Sequence, residues 1–527
     1  MAVEQNAGQP KPELAPENSL RIGVDEWVAQ VGQRKKARGG FWGSVANRWE
    51  AVPLKWRIAG VVVALILAPV VTNTTPVLSA LGISNNDFIV RVGATFLAFS
   101  ILAIGLNVVV GYAGLLDLGY VAFFGLAGYA YAYLASDFIG ENGVHLPAII
   151  NVPLIVAFTA LVGWLLGSLA IRLVGDYLAI VTLGFGLLFF QLTQTLTRVK
   201  FFWLERTVDL TRGPNGINNV DDIPLISANI EQAIAYGYIY LFGSPFTPTV
   251  KYYFYFLIIL GGVILVVHHM NQSRLGRGWR AMREDDLAAE VMGMPVRRLK
   301  LLAFATGAAI AALVGVFFAA WQGNVVPIRY NVLALINLYA MIVLGGLGSI
   351  PGVIIGAFVF TVLPEILRNV VAAGFLFYLG GLIGLIAWLK PSVRLATTLG
   401  GAIIGGVLLK IIVNLIWPGF DTGVAPAQGS FLNQWAQSWL IIPANYALLG
   451  NLAIGVAIAA LLATVAIKSW QRYIFLGLAI YLFVFAWETR LATEPAVTRI
   501  LVVGTTLVVL MITRPQGLLG KLRVEIV

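Results

Sequence analysis

The chain has 527 residues, 59% of them apolar and 11% charged, with a formal net charge of +10 and no cysteine. So small a charged fraction excludes an ordinary soluble protein, and the missing thiols exclude disulfide frameworks and thiolate nucleophiles or metal sites. The three histidines (His145, His268, His269) leave metal- or imidazole-based catalysis almost nothing to work with.

Residues 1–56 form a polar arm that starts Pro-, Glu- and Asn-rich and turns basic at Arg34, Lys35, Lys36 and Arg38. Without an apolar h-region it reads as a cytosolic, partly disordered segment and not as a cleaved signal. Its end at Lys55, Trp56 and Arg57 suits anchoring at anionic headgroups and predicts an inside N-terminus.

A spanning helix needs about 20 apolar residues. Such runs predict spans near 57–73, 88–110, 116–135, 147–172, 177–198, 252–270, 300–321, 333–348 and 352–367. Further runs lie near 373–389, 396–417, 446–467, 473–488 and 497–513. The expected fold is therefore an all-α polytopic membrane protein of about 14 transmembrane helices, with both termini cytoplasmic. Charge agrees with this parity: the predicted inner segments carry Arg172, Arg274 to Lys300, Lys390, Arg394, Lys468, Arg472, Arg514, Lys521 and Arg523. That rule accounts for the positive net charge, so no nucleic-acid partner is expected. Two exceptions are Lys410, inside a span and expected to snorkel, and several basic residues in the outer loop 199–251. Glycine pairs such as Gly380/Gly384 and Gly401/Gly405 read as close helix packing.

Two interruptions break the apolar pattern at membrane depth. The first is GYAGLLDLGY (Gly111–Tyr120); the second is GGLGSIPG (Gly345–Gly352). Broken helices in the two halves of a transporter point to its pathway. Between them, the polar segment Asn271–Lys300 holds seven basic and four acidic residues. Leu287–Gly293 reads as a short helix capped by Asp285 or Asp286, with Gly293 as its C′ residue and Pro295 preventing continuation. Ala288 and Ala289 would let a partner approach, Leu287, Val291 and Met292 would supply apolar contact, and Arg283, Glu284 and Asp285 the charge that sets register. A plain connector would need far fewer residues.

At these residues the chain resembles a known family. The Ala-Ala-x-x-x-Gly core at Ala288–Gly293 resembles the coupling element of permease subunits of ABC importers. Six motifs in order resemble the M-type chain of branched-chain amino-acid (LIV-type) permeases. They are GYAGLLDLGYVAFF (Gly111–Phe124), GDYLAIVTLGFG (Gly175–Gly186), LTRGPNGI (Leu210–Ile217), AAWQG (Ala319–Gly323), VLGGLGS (Val343–Ser349) and RPQGLL (Arg514–Leu519). The resemblance implies a permease subunit in the cell (plasma or inner) membrane, working with a second permease chain, two ATP-binding subunits and an extracytoplasmic solute-binding protein. ATP and Mg would sit on the partner ATPase, and no cofactor is expected here. Three departures stand out. Leu287 replaces the usual leading glutamate, and Leu187 an acidic residue. About 120 extra residues, 371–490, also intervene between Leu363-Pro-Glu365 and the closing helix with its RPQG ending. The expected organisation is thus a permease core at 57–370, inserted membrane helices at 371–490, and a final core helix with cytosolic tail at 491–527.

For the pathway the candidates are Tyr112, Asp117, Tyr120, Gln191, Gln194, Gly345, Gly346 and Gly348. An intramembrane carboxylate is a functional candidate by default, although Asp117 would equally cap the broken helix. Gln191, Thr193 and Gln194 would line the passage or bond neighbouring helices. Arg212, Asn215 and Gly216 lie on the predicted outer side, where a binding protein would dock, and would equally form a tight turn. No Gly-x4-Gly-Lys-[Ser/Thr] loop occurs, so the chain lacks its own phosphate cradle and is expected to be no enzyme. Two alternatives remain open: a urea or short-amide ABC permease, and a secondary transporter driven by an ion gradient, for which Asp117 is nearly the lone intramembrane acid. Intramembrane catalysis lacks clustered acids, bases or nucleophiles.

Overall fold

In a bilayer, backbone N–H and C=O groups find no water, so each long apolar run closes its hydrogen bonds inside a helix. The computed structural model describes residues 86–139, 143–170, 176–197, 199–200, 207–224, 228–242, 245–389, 393–421, 431–466 and 470–491. Residues 65, 67–69, 517–519 and scattered positions from 494 to 508 are described as well. The chain divides into two units, Met1–Leu67 and Ala68–Val527, and every element named below belongs to the second.

In chain order, α1 (Asn86–Asn107) runs into a π-helical turn (Val108–Tyr112), followed by α2 (Tyr120–Leu134), α3 (Ala148–Ala170) and α4 (Asp176–Thr195). Two short strands, β1 (Val199–Lys200) and β2 (Thr207–Val208), pair antiparallel, and β3 (Ile217–Asn218) follows. Next come α5 (Ala228–Phe242), α6 (Pro248–Gln272), α7 (Arg274–Glu284), α8 (Asp286–Val291) and α9 (Val296–Gln322). β4 (Asn324–Val325) pairs with β3 and fastens the 199–247 segment to the end of α9. The remainder is α10 (Val332–Gly345), α11 (Ile350–Ile366), α12 (Val370–Leu389), α13 (Val393–Ile416), α14 (Phe431–Trp439), α15 (Tyr446–Ala466) and α16 (Gln471–Ala486) with a second π-helical turn (Trp487–Leu491).

Among the described residues, eight helices are long and apolar enough to cross a membrane, or nine if α11 and α12, bent by 120°, count as one span. α2 and α10 are shorter apolar helices. The expected count of fourteen is not reached among the described residues, which take in only part of the spans expected at 57–73 and 497–513. Packing centres on α9, which meets α1, α2, α3 and α6. The spanning windows of α1 and α9 are 78% and 67% buried, whereas α4 and α13 bury 17% and 11% and present most of their surface outward. Since lipid is as apolar as leucine, close fit and not water exclusion holds such helices together, and small residues permit it. A side chain on Gly163 would lie 3.0 Å from the Phe304 carbonyl oxygen of α9, and one on Gly315 2.8 Å from Ala127 Cβ of α2. The glycine pairs expected to do this, Gly380/Gly384 and Gly401/Gly405, instead have open space beside them. Gly384, Gly401 and Gly405 line apolar clefts among α12, α13 and α16, and Gly380 lines one between α1, α11 and α12.

A continuous apolar core runs from Val90 to Phe360. α14 to α16 build a separate core around Ala436, Trp439, Leu440 and Phe485. The two meet where Leu367, just past α11, and Ala373 pack on Trp487 and Leu491. Two of the basic exceptions of the sequence, Lys251 and Lys410, are neutralised in place. Lys251, buried in the first turn of α6, pairs with Asp222 and, at 2.9 Å, with Glu231. Lys410 reaches Asp421 at 3.4 Å and donates to the Gln437 carbonyl at 2.9 Å, a snorkel to the nearer helix end.

Candidate functional site

Both interruptions lie at the same end of the bundle as α7 and α8, and they touch. Asn107, the last α-helical residue before the π-helical turn, accepts a hydrogen bond at Oδ1 from the Gly348 amide at 2.9 Å. Gly346 and Gly348 adopt φ of +108° and +81°, which a side chain would resist, so glycine lets α10 turn back into α11. Gly345 lies against the Gly352 backbone, closing the hairpin. A third strand of chain seals it: the Leu518 and Leu519 amides donate to the Leu344 and Gly345 carbonyls at 2.8 and 3.0 Å. The last motif therefore closes on the fifth, about 170 positions away in sequence.

Asp117 sits fully buried in the first break. Its Oδ1 accepts from the Gly119 amide at 2.9 Å just ahead of α2, and its backbone carbonyl accepts from the Tyr339 hydroxyl of α10 at 2.8 Å. The carboxyl thus shapes the loop entering α2, while Oδ2 has no hydrogen-bond partner among the described residues. Thr182 of α4 holds the loop from the other side, accepting from the Leu118 amide at 3.0 Å. Tyr112 and Tyr120 are both buried, and the Tyr120 hydroxyl faces Gly105 without a hydrogen-bond partner among the described residues. Buried polar groups left unsatisfied are costly, so they mark places where the arrangement serves something besides stability.

α7 connects this cluster to the exposed segment. Trp279 is buried and donates through Nε1 to the Leu299 carbonyl at 2.9 Å, seating α7 against the start of α9. From the last turn of α7, the Arg283 guanidinium donates to the Gly111 carbonyl and lies beside Gly348, while its Cα, Cβ and Cγ lie against Gly114. α8 then begins at Asp285, whose Oδ1 accepts from the Leu287 and Ala288 amides at 2.9 and 3.0 Å. It ends in a Schellman motif: the Gly293 amide bonds the Glu290 carbonyl and the Met294 amide the Ala289 carbonyl, with Gly293 at φ +79°. Asp286 pairs with Lys300 and ties α8 to α9. Leu287, Val291 and Met292 are 74%, 87% and 80% exposed, while Glu284, Ala288 and Gly293 are exposed too. Ala289 faces the other way and is buried, so α8 offers a partner Ala288 and not the pair.

Other candidates lie apart. Gln191 is exposed on α4, Gln194 is half-buried near its far end, and Thr193 is bonded back to Phe190. Arg212, at φ +55°, stacks its guanidinium over Phe138 at 5.4 Å and is exposed with Asn215 on the opposite end of the bundle. Gly216 is buried against the Val325 backbone, where only glycine lets β3 reach β4. Sequence reading passed over Asn107, Thr182 and Tyr339. Each is a lone hydrogen-bonding residue in an apolar run, a legible sign, but the partner lies far along the chain.

A family model described as "Branched-chain amino acid transport system / permease component" matches residues 88–387. The match takes in α12 and stops before α13. The high-affinity branched-chain amino acid transport system permease protein LivM of Escherichia coli is 35% identical over 316 residues, 59% of this chain and 70% of that protein. LivH of the same organism is 39% identical over 87 residues (16% and 28%), and BraD of Pseudomonas aeruginosa 36% over 115 (20% and 37%). No solved structure matches the chain.

Proposed function

We propose, from the premise that this chain belongs to the permease family of branched-chain amino acid transport systems, that it forms part of the pathway of an ATP-driven importer for branched-chain or other hydrophobic amino acids. It is a multi-pass protein of the inner membrane. In this reading both termini and the α7–α8 segment face the cytoplasm, as the distribution of basic residues indicates. ATP and Mg are bound by two partner ATPase subunits, which grip the exposed α8. A second permease chain completes the pathway, using faces such as that of α4, and an extracytoplasmic binding protein docks over the 207–247 surface near Arg212 and Asn215. Residues 371–490 would be inserted membrane helices beside the core.

One observation carries the mechanism: Arg283, in the last turn of an α7 seated by buried Trp279 and Met282, precedes the protruding α8 and bonds the first break beside the second. A push on α8 is passed by α7 to the carbonyl of Gly111 and to Gly348, so closure of the ATPase pair repositions both breaks at once. The passage itself is apolar, which leaves solute choice to the binding protein. Charge placed on the contact surface tests this. With all partner subunits in proteoliposomes, Val291→Asp is expected to lower ATP-dependent uptake about 10-fold or more, the effect of losing ~1.4 kcal/mol of docking. It should also weaken copurification of the ATPase. Unchanged uptake and copurification would refute the role of α8. The free Oδ2 of Asp117 favours a second reading, coupling to an ion gradient; uptake by the lone chain, abolished by collapsing that gradient, would establish it.

A further inference from the structure

One buried carboxyl draws together polar side chains of α12, α14 and the turn after α16, the last two lying beyond the family match. Glu488 lies in the π-helical turn after α16 and is fully buried. Its Oε1 accepts from the Tyr378 hydroxyl of α12 at 2.6 Å and from the Asn433 amide of α14 at 2.8 Å; its Oε2 accepts from the Gln437 amide of α14 at 3.1 Å. All three donors are neutral. Glu488 forms none of the ion pairs found among the described residues. The nearby cations are already taken: Lys410 of α13 by Asp421, and Arg490 of the same turn by Glu494. The other titratable group packed here, Tyr481 of α16, accepts from the Ile441 amide at 3.3 Å.

A buried carboxylate without a counter-ion is expensive, and three donors offset that cost only in part. Donors are also the wrong surroundings for a metal or alkali cation, which needs oxygen acceptors. A proton removes the charge and needs only one acceptor, not the shell of oxygens that a cation needs. Gln437 is a primary amide, and turning it over would present its oxygen in place of its nitrogen. The same shell therefore accommodates an anion accepting three hydrogen bonds or a neutral acid donating one. Gln437 is half-exposed, so Oε2 is one side chain from the surface. That surface lies at the end opposite α7, because Trp487 and Leu491 pack on Leu367 just past the far end of α11. π-helical turns occur mostly at functional positions.

We infer that Glu488 is a proton-binding site of the helices beyond the family match, exchanging with the compartment faced by α14. On protonation an O–H bond forms at Oε2 with a proton from water beside Gln437. The Gln437 amide turns to accept it, and the hold of this turn on α14 changes from anion-centred to neutral.

Infrared difference spectra of the full chain in lipid, recorded as pH is lowered, test the site. The expected result is a protonated-carboxyl band that grows in with falling pH and is absent from Glu488→Gln, which keeps the shape. Tyr378→Phe removes a donor to the anion and should move the midpoint up by about one pH unit. A band unaltered in Glu488→Gln overturns the inference, as does a Glu488 band present or absent at every pH. A midpoint that shifts when sodium replaces choline would make it a cation site instead. Should Glu488→Gln fail to assemble, the Tyr378→Phe midpoint decides alone: no shift overturns the site.

Discussion

The guanidinium of Arg283 donates to the backbone carbonyl of Gly111, 172 positions earlier in the chain. Arg283 belongs to the last turn of α7, just ahead of the protruding α8, and Gly111 opens the first break, so one side chain links the partner-facing segment to the membrane helices. Charged hydrogen bonds are worth ~1.5–3 kcal/mol. Arg283→Ala should reduce ATP-dependent uptake about 10- to 100-fold, while the assembled complex still hydrolyses ATP. Paired uptake and hydrolysis assays in proteoliposomes check this; a proportional loss of both would mean a docking defect and not a broken link.

α8 has six residues and owes its shape to its ends. Asp285→Ala removes the acceptor of two amides, a change costing ~1 kcal/mol of helix stability. Gly293→Ala forces a side chain into φ +79° at a position with ample space, so its effect is conformational and also ~1 kcal/mol. Both should speed hydrogen exchange at residues 287–292 and leave the amides of α9 protected. Equal exchange in variant and parent would show that α8 is held by other contacts.

Gly517 has φ +80°, and a side chain there would lie 2.6 Å from Gly346 Cα in the second break. Gly517→Ala should therefore displace the closing motif, lower the melting temperature and reduce uptake. A variant with an unchanged melting profile would detach this contact from the function of the break.

His145 sits between Asp221 and Asp137, at 2.6 and 2.9 Å from its Nδ1 and Nε2, in the connection between α2 and α3. The hydrogen bond to Asp221 and then that to Asp137 raise its pKa above the ordinary histidine value. A raised folded-state pKa adds stability that is fully present below the unfolded pKa and is lost as pH rises through the folded one. The site is solvent-exposed, so the effect is small and screened by salt. Thermal melting of the parent minus His145→Gln should give a positive difference at acidic pH that shrinks toward alkaline pH. A difference that grows with pH would contradict the pairing.

Some of the site was legible because its signals are local. The break at Gly111–Tyr120 shows in the apolar pattern, and the caps of α8 show in Asp285, Gly293 and Pro295, since capping is decided within a few residues. Asn107, Thr182 and Tyr339 were not legible as a group. Each is a single polar residue in a lipid-compatible run, and its role depends on which helix it meets. Ala289 was taken as surface because small residues serve packing on either face, and only the rotation of α8 against α9 turned it inward. Glycine misled in the same way, since Gly380 and Gly401 share the spacing of a packing motif yet face open clefts.

Composition and hydrophobic run length were enough to determine a helical membrane protein with a polar segment between spans, because the polar backbone of a continuous apolar run satisfies its hydrogen bonds in lipid by closing into a helix. Only the tertiary structure decided that the two breaks and the closing motif form one cluster, that Arg283 reaches it, and that Glu488 is buried among neutral donors. Lipid presents the same apolar surroundings to every outward face of a helix, so hydropathy carries no record of which helices become neighbours; shape and a few distant hydrogen bonds make that choice.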